Sequence, residues 1–445
     1  MNPGLMHDQF KRREFLKTSA ALGLVAAAGK LGAQSGPRAA KLDKVRVGFV
    51  GAGLQGTSHI RNLLNIPHVE LVAICDIVPA HAEKAQMLTV AAGQPKPSLY
   101  TRGDYDFKRL CARDDIDLVY NATPWRWHVP VMVEAMENGK HGATEIPAAV
   151  TIEEAWQLVE TAERTGKHCV QMENCNYDRI ELMVLNMVRK GLLGDLIHAR
   201  CGYLHDLRAI KFSDNHEGLW RLEHSKHRNG DLYPTHGLAP IAQCMNINRG
   251  NQFDHMVSMA SPSNSLNLYA AEHFGPDSPQ ARQEYALGDV VTSMIRTHQG
   301  QTILLTHDTN TPRPYSRDIL VQGTKGIVQK YPSPKIHIEG VSEGHGWEEL
   351  DRYVEAYQHP LWTNIIEKAK GAGHGGMDYI EDYRLIQCLL EGQPMDTDVY
   401  DAAALSAVSE LSERSIANRS RTMDFPDFTR GLWKNRAPLD IVTGL

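Results

Sequence analysis

Among the seven cysteines of this 445-residue sequence there is no Cys-x-x-Cys pair, and positions 75, 111, 169, 175, 201, 244 and 388 follow no repeat. An odd, scattered set excludes a disulfide framework and argues against a zinc site. A basic excess is missing too. The 47 lysines and arginines face 53 acids, and a net charge of −6 offers no field for nucleic acid. No apolar run spans a bilayer comfortably; the best candidate lies between Lys17 and Lys30 and is short. Internal repeats, low-complexity blocks and a serine–histidine–acid or cysteine–histidine motif are also absent. What remains, 42% hydrophobic and 22% charged residues, is a globular composition long enough for two cores.

The N-terminus reads differently. "KRREFLKTSAALGLVAAAGKLGA" sets Arg12-Arg13 before a short apolar run and small residues. It resembles a twin-arginine export signal over 1–33, cleaved near Ala33-Gln34, with a linker at 34–43. That implies the twin-arginine machinery as a partner and a periplasmic mature protein without a membrane span. The route carries folded proteins, so a cytoplasmic dinucleotide can be captured first and reduced cysteines can persist.

"KVRVGFVGAGLQGTSHIRNLL" then reads as strand, glycine turn and helix. Further strands are predicted at 69–76, 117–123, 141–145 and 168–174, with helices at 77–92, 129–138 and 151–165. This alternation predicts an α/β fold, a doubly wound parallel sheet over 44–174. From 175 to 445 the rhythm changes. One helix leads into "LIHARCGYLHD", and strands are predicted at 253–260, 289–297, 301–307 and 318–329, with few helices between. Helical patterns return at 375–391 and 400–418. The second domain is therefore expected to be α/β with an open, largely antiparallel sheet, whose exposed face is able to support a homodimer.

Gly51-Ala52-Gly53-Leu54-Gln55-Gly56 is a full G-x-G-x-x-G between a strand and a helix. The glycines permit a tight turn, close approach of a pyrophosphate, and helix–strand packing. Asp76 ends the second strand, where a carboxylate accepts the ribose hydroxyls and repels a 2′-phosphate, which predicts NAD. Other strand ends at the carboxyl edge carry Trp125-Arg126-Trp127-His128, Glu145-Ile146 and Glu173-Asn174. Trp125, Trp127 and His128 suit ordinary packing, but three polar or aromatic endings converging on one crevice favour cofactor contact. His374 and Asp378, four apart in "GHGGMDY", invite a metal reading, but two ligands make a weak site; a structural role or a cleft wall is preferred.

The plan resembles the glucose-fructose oxidoreductase/inositol dehydrogenase superfamily, which often shows E-K-P after the fourth strand. Here "GATEIPAAV" puts Ile146 in the place of that lysine, and "NGDLYPTHG" keeps His236 but has Leu232 where an aspartate is usual. A narrower resemblance accounts for both departures. "TPWRWH", "MENCNY", "GYLHDLR", "KHRNGDLYPTHG", "RPY", "GAGHGGMDY" and "DVYD" together resemble glycoside hydrolase family 109, NAD-dependent α-N-acetylgalactosaminidases. By that resemblance the cofactor contacts fall on Leu54, Gln55, Asp76, Trp125 to His128, Glu145, Ile146 and Asn174. Sugar contacts fall on Tyr203, Arg221, Tyr233, Pro234, Thr235, His236 and Tyr315.

The implied chemistry is retaining hydrolysis of terminal α-GalNAc through oxidation at C3, elimination, water addition and re-reduction, an exception to the carboxylate-pair rule. His236 is the candidate O3–H base, because imidazole titrates near neutrality. Tyr233 and Tyr203 either bind sugar hydroxyls or exchange the C2 proton. Arg221 suits a hydroxyl or the acetamido carbonyl, and Tyr315 sits on a loop able to close over the sugar. The alternatives are a conventional NAD-dependent sugar oxidoreductase and a non-catalytic NAD- and sugar-binding protein.

Overall fold

The computed structural model describes residues 40–214, 218–439 and 441, so the export-signal reading lies outside the described residues. Among these residues no helix is long and apolar enough to cross a membrane. The first sheet is built from β1 (Val45–Val50), β2 (Val69–Cys75), β3 (Ser98–Tyr100), β4 (Leu118–Asn121), β5 (His141–Thr144) and β6 (Cys169–Gln171). Its order is β3-β2-β1-β4-β5-β6, and every pair is parallel. Val45, Val47, Phe49 and Val50 are all buried because helices cover both faces, and so β1 reads as one apolar run. The edge strand β3 was not among the predicted strands; three half-exposed residues leave no run to detect.

The covering helices include α1 (Leu54–Leu64), α2 (Pro79–Ala91), α3 (His128–Glu137) and α4 (Ile152–Thr165). In α4 the Thr151 hydroxyl and Glu154 carboxylate cap each other's backbone, and Gly166 closes the helix at a φ of 66°. The order reverses between β1 and β4, which opens a crevice beyond the carboxyl ends of those strands.

After α5 (Arg179–Arg189) comes a nine-stranded sheet: β7 (Leu196–Leu204), β8 (Phe253–Ala260), β9 (Val291–Thr297), β10 (Thr302–Asp308), β11 (Leu320–Gly323), β12 (Gly326–Gln329), β13 (Lys335–Ile338), β14 (Glu348–Glu349) and β15 (Met423–Asp424). The order is β14-β13-β12-β11-β7-β10-β9-β8-β15, antiparallel except between β7 and β10. Along β9, Val291, Ser293, Ile295 and Thr297 are buried while the residues between them are exposed, so one face is covered and the other open. The expected strand at 318–329 is two, β11 and β12, paired as a hairpin.

The expectation of few helices in this half is corrected by α6 (Gly218–His227), α7 (Thr235–Cys244) and α8 (Ser265–Phe274). Helix α7 contains Gly237 and Pro240 and is buried on nearly every side, so it shows no amphipathic period. It lies directly on β7: a Cβ added at Gly237 would stand 2.4 Å from the Gly202 nitrogen. Finally α9 (Met377–Glu391) and α10 (Val399–Ala417) return to the first sheet and pack on α1 and α4.

In the turn before α7, Asp231 is fully buried, and its Oδ2 has no hydrogen-bond partner. Burial pushes its pKa from 3.8 to about 7, opposed weakly by the Tyr233 amide. A carboxyl raised on folding holds its proton longer in the folded state, so stability falls as pH rises between about 4 and about 7. Asp231→Asn should therefore melt like the parent at pH 4 and be more stable by about 1–3 kcal/mol at pH 8, read from thermal unfolding at both pH values.

Candidate active site

Gly51 turns at a φ of 88°, and a Cβ there would meet the Ala122 carbonyl at 2.6 Å. At Gly56 a Cβ would meet the Gly51 carbonyl at 1.9 Å, so this glycine exists to let α1 approach β1. Gly53 is different: a Cβ there would meet nothing within 4 Å. It caps α1 with no side-chain bond, and the first turn carries no acid, so an electropositive helix end faces open space. Leu54 stands exposed on the rim, and Gln55 reaches back to the His59 ring at 3.1 Å. Asp76 closes the cradle, its carboxylate accepting from the Ala52 amide at 2.7 Å and the Val78 amide at 2.8 Å. These residues fit a dinucleotide pyrophosphate and ribose.

The next strand end divides its residues. Trp125 turns inward, stacked on Tyr233 at 5.6 Å and set edge-on to Trp220 at 4.9 Å. Trp127 turns the other way, against Tyr105 and Phe107, and exposed Arg126 lies over its ring. His128 is buried with its ring nitrogens 2.7 Å from the Pro147 and Thr123 carbonyls. Its ring is thus committed to bracing two loops, and burial pulls its pKa down.

Ile146 is also buried, in one apolar cluster with Trp125, Tyr203, Leu207, Leu232 and Tyr233. The two positions that depart from the superfamily pattern, Ile146 and Leu232, therefore share a cluster. Arg221 sits over three rings of the same wall, 4.5 Å from Trp220, 5.4 Å from Tyr233 and 5.5 Å from Trp125.

His236 opens α7 and packs against Tyr203 at 5.3 Å and Tyr233 at 5.0 Å. Its Nδ1 lies 2.7 Å from Glu173 Oε1, which also accepts from the Cys175 amide. Burial pushes the Glu173 pKa up, but the His236 charge and hydrogen bond outweigh it, and the carboxyl stays below its ordinary value. An ionised carboxylate thus fixes the His236 ring and leaves Nε2 toward the crevice. Neighbouring Pro234 ends the turn, and Thr235 is buried behind the histidine.

Tyr203 bonds His205 Nδ1 at 3.0 Å, and burial lowers the His205 pKa, favouring a neutral ring. Burial holds Tyr233 well above the ordinary phenol range, so it remains a donor. Tyr315 lies on the far side, its ring 6.3 Å from Tyr203 and its hydroxyl 3.1 Å from Arg317 Nη1.

Asn174 is held from behind by α9, and Glu145 by His59 of α1. Asn174 Nδ2 donates to Asp378 at 2.7 Å, and His374 pairs with the other Asp378 oxygen at 2.8 Å. His374 and Asp378 are therefore a brace behind Asn174, in line with the structural reading. Glu145 Oε1 lies 2.7 Å from His59 Nε2. Sequence reasoning missed Glu173 as the partner of His236, His205 as the partner of Tyr203, and the whole of His59 and Asp382. "HDLR" in "GYLHDLR" and the glutamate of "MENCNY" were the available signals.

Comparison with known proteins gives the family and the fold. The family model described as "Glycosyl hydrolase 109, C-terminal domain" matches residues 177–435, and "Oxidoreductase family, NAD-binding Rossmann fold" matches 45–173. A protein of Shewanella sp. (strain MR-4) named "Glycosyl hydrolase family 109 protein 1" is 47% identical over 98% of this chain and all of its own. One from Shewanella oneidensis named "Alpha-N-acetylgalactosaminidase" is 46% identical over the same shares. Among solved structures, levoglucosan dehydrogenase with NADH and L-sorbose is similar in fold, with TM-score 0.67 and 20% identity over 86% of this chain and 100% of its own. NAD is the cofactor that this Rossmann domain binds.

The three glycines separate binding from folding. Gly53→Val should keep the melting temperature of the cofactor-free parent yet lose the thermal shift on adding NAD. Gly56→Ala should lower the melting temperature by several degrees without cofactor, because its Cβ meets backbone. Differential scanning fluorimetry with and without NAD checks both.

Proposed function

The chain belongs to glycosyl hydrolase family 109, and from that premise we propose that this glycoside hydrolase removes terminal α-linked N-acetylgalactosamine from glycans with retention. The observation that carries the reading is the Glu173–His236 pair, set at a dinucleotide crevice and ringed by Tyr203, Tyr233, Trp125 and Arg221. Aromatic faces with polar tips suit a sugar. A base beside a hydride acceptor suits oxidation of a sugar alcohol rather than direct displacement at C1.

Bound NAD supplies the hydride acceptor for C3 and returns the same hydride, so no net redox change accumulates. His236 takes the O3 proton as C3 becomes a ketone, and buried Glu173 stabilises the resulting imidazolium. Ile146 and Leu232 being apolar, the proton falls to His236 and not to an ammonium group. The ketone acidifies the C2 hydrogen, whose removal we assign to Tyr203 with His205 accepting from its hydroxyl. The C1–O bond then breaks, and the aglycone leaves with the proton that Tyr203 and His205 took from C2. Water adds its hydroxyl at C1 and passes its proton through the same pair to C2, and His236 returns the O3 proton as C3 is reduced. Tyr233, a neutral phenol, donates to a sugar oxygen, and Arg221 holds a hydroxyl or the acetamido carbonyl. The twin-arginine segment supports export of the folded, loaded enzyme to the periplasm, and the seven cysteines are all buried and unpaired.

The 4-nitrophenyl α-GalNAc glycoside should release nitrophenol without accumulating NADH, and solvent deuterium should enter C2. Stoichiometric NADH from free sugar with the glycoside left intact would instead identify a dehydrogenase. His236→Ala should lower kcat at least about 100-fold, and Glu173→Gln by about 10- to 100-fold with NAD affinity kept, measured by steady-state kinetics and NAD titration.

A further inference from the structure

Helix α9 carries Asp382 into the first sheet, between 262 and 323 residues along the chain from its partners. There it accepts from three donors: His59 Nδ1 at 2.9 Å, Asn62 Nδ2 at 2.9 Å and the Tyr120 hydroxyl at 2.9 Å. Burial raises the Asp382 pKa above its ordinary value, while the His59 charge and the three hydrogen bonds to its oxygens favour the ionised carboxylate. The His59 ring is wholly buried, and its other nitrogen meets the Glu145 carboxylate at 2.7 Å. Two carboxylates, one on each ring nitrogen, require a proton on both, so His59 is an imidazolium. Burial pulls its pKa down, but Asp382 and Glu145 outweigh burial and hold it well above the ordinary value.

Glu145 follows β5, on the side of the crevice opposite Asp76, where a dinucleotide bound across the β1/β4 switch point places its nicotinamide half. Its side chain is 18% exposed, an open edge of this network. A bare carboxylate there favours the oxidised ring, which is cationic, over the neutral reduced ring. An enzyme that must lend and recover one hydride per turnover is poorly served by a strong preference for either form.

We propose that His59, clamped between Asp382 and Glu145, is a positioning residue that offsets the Glu145 charge and so sets how evenly the protein holds the oxidised and reduced dinucleotide. The inference rests on Glu145 facing the nicotinamide. It gives the "GAGHGGMDYIED" segment a task that the hydrolytic steps do not: Asp378 braces Asn174, and Asp382 keeps His59 charged.

The test is the ratio of dissociation constants, NADH over NAD⁺, from fluorescence titration and competition on the full chain stripped of dinucleotide. Removing the imidazolium unmasks Glu145, so His59→Gln should raise the ratio about threefold or more, and Asp382→Asn should move it less in the same direction. Glu145→Gln should lower it. Opposite signs for His59→Gln and Glu145→Gln are what a purely structural role does not produce, because lost packing weakens both forms together. If Glu145→Gln moves the ratio and neither other variant does, the proposal is overturned. If Glu145→Gln leaves the ratio unmoved, the nicotinamide placement itself fails. Should His59→Gln not fold, isosteric Asp382→Asn decides by the same readout.

Discussion

The Glu173–His236 hydrogen bond, 2.7 Å long, is the contact on which the rest of the molecule depends. Its two ends come from different sheets. Glu173 follows β6, the last strand of the parallel sheet, and His236 opens α7, which lies on β7 of the large sheet. A carboxylate with no exposed side chain is costly, by several kcal/mol if left unpaired, and here its histidine partner reaches it only when both sheets are in place. The chemistry and the domain packing are therefore one requirement. The Gly237–Gly202 contact serves it, since any side chain there would lift α7 from β7 and draw His236 away from its carboxylate.

What the sequence made legible follows from local physics. Parallel strands covered on both sides read as apolar runs, and the glycine turn and Asp76 announce themselves by spacing. Tyr203, Tyr233, His236 and Arg221, named from sequence, gather on one wall, with Tyr315 on the far side of Tyr203. The unread parts lacked a local cue. Pro240 and Gly237 hid α7, and three residues are too few to reveal β3. Trp125 and Trp127, two apart on a tight turn, diverge to opposite walls, which no spacing rule separates. His59 and Asp382 meet across 323 positions, so neither residue's neighbourhood betrays the other.

Ile146 and Leu232 show how two departures from a superfamily pattern become one. A lysine and an aspartate placed at these two positions would stand in the same cluster. Changing only one would strand an ion in an apolar cluster, a penalty of several kcal/mol. Changing both leaves a dry wall. The ionisable pair near this wall is then a histidine with a buried acid behind it, His236 and Glu173.

The return of α9 to the first sheet also orders events in time. A ribosome that has finished the glycine turn, Asp76 and all six parallel strands has still not made Asp382, and until it does His59 has no second carboxylate and Glu145 no settled partner. Capture of the dinucleotide in its final setting belongs to the completed polypeptide rather than to a nascent N-terminal half. Any truncation that removes the last quarter of the chain deprives the nucleotide fold of part of its own interior.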